Sequence, residues 1–74
     1  MANAIYSAWV RDEEENIISD IFKSTRKSEI KKFALQAIKN GAYSVDIHYW
    51  SQEFGGSYIG SFYADGEMPR IFTK

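Results

Sequence analysis

The chain contains no cysteine and a single histidine. Disulfides, thiolate metal sites and histidine-rich zinc centres are therefore excluded. Apolar runs are short. None approaches the roughly 20 residues that span a bilayer as a helix. The opening stretch, "MANAIYSAWVRDEEE", lacks a basic segment followed by a long apolar one, so it does not read as a signal peptide. Basic excess is also missing. Nine Lys and Arg against ten Asp and Glu leave a formal net charge of −1, whereas wholesale nucleic-acid binding normally goes with a positive balance. These absences lead to the expectation of a cytoplasmic protein with no cofactor, no metal and no membrane contact.

What is abundant is aromatic surface: two Trp, five Tyr and five Phe in 74 residues. A chain of this length forms one domain, residues 1–74, and buries only about 60% of the surface its unfolded form exposes. Small domains usually gain stability from disulfides, a metal or a partner chain. Here only packing and association remain, and aromatic rings bury much area each.

"AIYSAWVRD" alternates as a strand, with Tyr6, Ala8 and Val10 on one side and Ile5, Ser7, Trp9 and Arg11 on the other. "DEEEN" and "IISDIF" follow. Asp12 with Glu15 three positions on matches a capping box. Three isoleucines in six residues make poor helix, however, so the expectation is a hairpin loop and a second strand over 17–22. "STRKSEIKKFALQAIKNG" is the clearest element. Ser24 or Thr25 serves as N-cap. Ile30, Phe33, Ala34, Ala37 and Ile38 form one apolar stripe, with Leu35 beside it, and Asn40-Gly41 is a stop signal. The spacing predicts a helix over 26–40. Two alternating runs, "AYSVDIHYW" and "SYIGSFYA", are joined by "SQEFGG" and followed by the turn signal Asp65-Gly66. "EMPRIF" is an edge strand or no strand at all, because Pro69 cannot donate to a ladder. The expected fold class is α+β: a two-layer sandwich, β-β-α-β-β(-β), with one helix on one face of an antiparallel sheet.

The run "SVDIHYW" carries the functional question. Val45, Ile47 and Tyr49 suit the helix side, so Ser44, Asp46, His48 and Trp50 face away, joined by Trp9. Serine, aspartate and histidine on one face invite a hydrolytic reading. Alternate residues on a strand lie about 6.6 Å apart, which separates Ser44 from His48 by about 13 Å and leaves the aspartate in the middle. A triad needs histidine between nucleophile and acid. No enzymatic role is expected. Asp46 could instead pair with His48, a common surface arrangement. Gly55-Gly56 lacks the lysine and following helix of a phosphate loop, and residues 12–15 lack the spacing of a calcium loop.

The expected function is a non-enzymatic protein-interaction module using an aromatic open sheet face, with Trp9, Asp46, His48, Trp50 and Tyr63 as binding residues. Tryptophan is enriched where binding energy concentrates, and large exposed apolar patches mark interaction sites. The layout is analogous to that of small phage or mobile-element accessory proteins and inhibitors, an analogy of size and shape only. Two alternatives stand beside it. One is a nucleic-acid-binding protein using the basic helix (Lys23, Arg26, Lys27, Lys31, Lys32, Lys39), which is less favoured because helix and open face lie on opposite sides. The other is a homodimer whose open faces bury each other.

Overall fold

The computed structural model describes residues 4–18, 21–53 and 55–73. Four strands and one helix occur in the order β1 (Ala4–Arg11), β2 (Phe22–Ser24), α1 (Lys27–Lys39), β3 (Ser44–Ser51) and β4 (Gly55–Tyr63), and a 3₁₀ turn follows at Arg70–Phe72. The strands form one antiparallel sheet in the order β2-β1-β3-β4. This is the expected α+β two-layer layout: β1 and β3 take the centre, and α1 packs across one face.

Register explains the core. Val10 stands opposite Val45, and Val45 opposite Phe62, so one row of inward side chains crosses three strands. The next row is Ala8–Ile47–Gly60. Ile30 and Ala34 of α1 pack on these rows, and all of these non-glycine residues are buried. Phe33, Ala37 and Ile38 complete the helical stripe as partly buried neighbours. Phe22 stacks on Phe33 at 4.5 Å between ring centroids, which ties the short β2 to the helix. Leu35, beside the stripe, is exposed. The helix stops as its last residues suggest. Gly41 has φ of 107°, a conformation in which a side chain is strained, and Gly41 and Ala42 donate to the carbonyls of Ile38 and Ala37.

The structure departs from the sequence reading in three places. The helix is capped by Arg26, not by Ser24 or Thr25. Ser24 Oγ instead accepts from the Arg26 N–H and donates to Glu29, which holds the entry to the helix from one turn earlier. The second strand is shorter than 17–22: Ile17 makes an isolated bridge to Arg11, regular pairing is confined to Phe22–Ser24, and residues 19 and 20 lie outside the described residues. The turn before it is as expected, closed by Asp12, whose carboxylate accepts from the N–H groups of Glu14 and Asn16.

The C-terminal segment takes the second of its two readings and forms no strand among the described residues. Pro69 lies against Gly60, and Phe72 packs 5.2 Å from the Phe62 ring and 6.3 Å from that of Tyr6. The segment therefore covers the same face as the helix, filling the part of the core beyond α1's reach. The third departure is a β-bulge. Ile47 pairs with Gly60 and His48 with Tyr58, so Ile59 is the extra residue. Strict alternation would place Tyr58 with Gly60 and Phe62 on the helix side. The bulge reverses the parity, and Tyr58 joins Ser61 and Tyr63 on the other face while Ile59 packs against the core.

Candidate functional site

The face turned away from the helix is built by alternation on three strands. Its cross-strand rows are Ile5–Trp50–Gly56, then Ser7–His48–Tyr58, then Trp9–Asp46–Ser61, then Arg11–Ser44–Tyr63. Trp9, Asp46, His48, Trp50 and Tyr63 all lie on it. The structure brings only some of them together. Trp9 and His48 are in contact, with ring centroids 5.2 Å apart, and His48 meets Tyr58 at 5.4 Å on its other side. Trp50 stands one row away, 47% exposed, with the small Gly56 opposite it. Tyr63 sits at the far end and meets Tyr43 edge-on, 6.5 Å between centroids and 80° between planes.

The polar residues of the face form a connected network. Arg11 Nε donates to Asp46 Oδ2, and Arg11 Nη1 donates to the Glu15 carbonyl at 2.7 Å. Ser61 Oγ donates to Asp46 Oδ1 at 2.7 Å. The only hydroxyl hydrogen of Ser61 is thereby used, so in its contact with Tyr58 (2.5 Å) the phenol is the donor. Both carboxylate oxygens of Asp46 are engaged, and neither serves His48. The pairing of Asp46 with His48 allowed by the sequence is replaced by one with Arg11, whose diagonal position on β1 brings its longer side chain to the carboxylate. The Trp9 indole N–H and His48 Nδ1 are shielded from solvent and have no hydrogen-bond partner among the described residues.

Sequence reasoning missed Arg11, Tyr43, Tyr58 and Ser61 as members of this face's constellation. Arg11 was legible, since it shares the outward parity of Trp9. Tyr58 was not, because its orientation depends on the bulge. Ser44 is buried beside Arg11 and Tyr63, two strand positions from Asp46 and four from His48. Four positions of β3 separate Ser44 from His48, so this hydroxyl and the imidazole do not meet. Among the described residues no three His, Asp or Glu side chains converge on a metal-sized point, and no helix is long and apolar enough to cross a membrane. Two of the hollows off this face flank the C-terminal end of α1. One, of about 400 Å³, is lined by Asp12, Glu13 and Glu14, and the other, of about 350 Å³, runs between Ile18 and the Phe33–Ala37 side of α1.

Comparison with protein-family models, with curated proteins and with solved structures returns no match for this chain.

Proposed function

We propose that the protein is a non-enzymatic interaction module that docks a partner protein on the outer sheet face. The observation that carries this is the one-sidedness of the fold. The helix and the C-terminal segment both cover the same face of the sheet, and the other face presents Trp9, His48, Trp50, Tyr58 and Tyr63 with nothing laid over them among the described residues. Rings are abundant there and formal charge is sparse, a mixture found in the cores of protein interfaces.

A nucleic-acid ligand is disfavoured by where the cations stand. Stacked bases need neighbouring phosphate contacts. The outer face offers Lys23 and Arg11, and Arg11 is paired with Asp46. The remaining basic cluster, including Arg26, Lys27, Lys31 and Lys32, belongs to the helical layer. The reading retains the cytoplasm as the working compartment and an accessory or inhibitory role, exerted by occupying a partner's surface.

The test is affinity capture from host lysate, with and without nuclease, by the parent protein and by Trp50→Ala and Lys27→Ala/Lys31→Ala variants. The proposal expects a nuclease-resistant protein partner that is lost with Trp50→Ala and kept with the lysine pair replaced. Capture abolished by nuclease and by the lysine changes would transfer the function to the helix. A dimer by sedimentation that dissociates on Trp50→Ala, with no other protein captured, would make a second copy the occupant of the face.

A further inference from the structure

Resting on the outer face as a partner-binding surface, we propose that the hollow between Tyr43, Tyr58 and Tyr63 receives a cationic side chain, lysine or arginine, presented by the partner protein. The hollow has a volume of about 290 Å³. Tyr43 and Tyr63 form two walls meeting at 80°. Tyr58 forms a third, held in place by its hydroxyl bond to Ser61 and by its contact with His48. Ser44 and Asp46 lie at its base. Aromatic faces are the negative pole of a ring's quadrupole, so several rings around one point attract a cation.

The neighbouring charges have the same sign preference. Arg11 borders the hollow, but its guanidinium is engaged by Asp46 and by the Glu15 carbonyl. Glu15 borders the hollow as well. Tyr43 is shared with the adjoining hollow, whose wall carries Asp12, Glu13 and Glu14. Asp65 and Glu67 occupy the turn just after Tyr63. The walls are solvent-accessible: Tyr43, Tyr58 and Tyr63 are 44%, 55% and 38% exposed. An anionic or neutral apolar group would meet carboxylates or displace solvent from them, whereas a lysine or arginine meets rings and complementary charge.

The probe is an acetylated, amidated glycine pentapeptide with arginine or lysine at its centre, titrated while the tyrosine ring resonances are followed by NMR. Saturable shifts are expected at Tyr43, Tyr58 and Tyr63, with Kd of about 1–10 mM as a few cation–π contacts allow. Tyr6 and Tyr49, on the helix side, should stay unmoved and report that the fold is intact. Citrulline at the central position keeps the shape and removes the charge, and should bind at least about fivefold more weakly. Tyr63→Phe should retain the affinity and Tyr63→Leu lose about fivefold. Equal binding of the citrulline peptide, equal effects of Phe and Leu, or no saturable shift would overturn the proposal. Partner capture that depends on Trp50 together with silent tyrosines removes the hollow alone. Tyrosine shifts without any captured partner remove the partner-binding reading alone.

Discussion

The two faces of this sheet are made by the same three strands, residue by alternate residue, yet they solve different problems. The helix side is two rows of apolar residues, Val10–Val45–Phe62 and Ala8–Ile47–Gly60, whose side chains share one buried cluster with Ile30, Ala34 and Phe72. The outer side carries touching rings, Trp9–His48–Tyr58, and a hydrogen-bonded polar set, Arg11–Asp46–Ser61, with no element laid over them among the described residues. On the first, a change of one methylene alters packing density and costs stability. On the second, the same change alters only what the surface can hold. Stability and recognition are thus separated by the thickness of one sheet, and residues of opposite parity on one strand should respond to mutation in opposite ways.

The sharpest contrast is within β3. Ile47→Ala should destabilise by about 2–5 kcal/mol, enough to unfold a domain of this size, as read by chemical denaturation. An Ile47→Ala variant that melts like the parent would dissolve the distinction between the faces. Next is Gly60→Ala. Gly60 has φ of 139°, and a Cβ there would stand 3.0 Å from the Pro69 Cβ and 3.1 Å from its Cγ. A loss of about 1–3 kcal/mol is expected from backbone strain and from displacement of the C-terminal segment. Loss of the Phe72 contacts with Phe62 and Tyr6 in NMR spectra would localise it.

A smaller effect on the helix side is read by pH. Tyr6 packs against Tyr49, ring centroids 5.1 Å apart, on the helix side. Burial pushes its phenol above the usual value of 10.0, and the neighbouring Tyr49 adds to the shift. The folded protein therefore holds the Tyr6 proton more tightly than the unfolded chain does. That contribution is complete below the unfolded value and is lost as pH rises through the higher folded one. Tyr6→Phe should flatten the fall in stability above pH 10, as read by denaturation at a series of pH values. The smallest expected effect is Trp50→Ala, within about 0.5 kcal/mol of the parent in stability while partner capture is lost. If Trp50→Ala unfolds the protein, the outer face is carrying core packing and the comparison fails.

Much of this arrangement is written in the sequence, because it follows from local geometry. Ile30, Phe33, Ala34, Ala37 and Ile38 recur at the helical period, and α1 buries that stripe. Val45, Ile47 and Tyr49 alternate with Asp46, His48 and Trp50, and the two sets lie on opposite faces. Such periodicities are properties of the chain's own covalent geometry, 3.6 residues per turn or two per pleat, and need no knowledge of what lies across the way. The same parity places Trp9, Asp46, His48 and Trp50 on the outer face, whereas both sides of "SYIGSFYA" are apolar enough to be buried and Tyr63 is placed only by the pairing of β4 with β3.

Only the tertiary structure decides the rest. The bulge at Ile59 exists only in the pairing of β4 with β3, and it turns Tyr58 outward. Asp46 is bonded to Arg11 and Ser61 and not to His48, because β1 and β4 lie on either side of β3 and supply nearer partners than its own strand does. The segment after Asp65-Gly66 leaves the sheet because Phe72 gains more by packing on Phe62 and Tyr6 than a proline-interrupted edge strand could by pairing. These choices join residues far apart in the chain. A local pattern fixes which side of its own element a residue occupies; what that side meets is settled only when the elements come together.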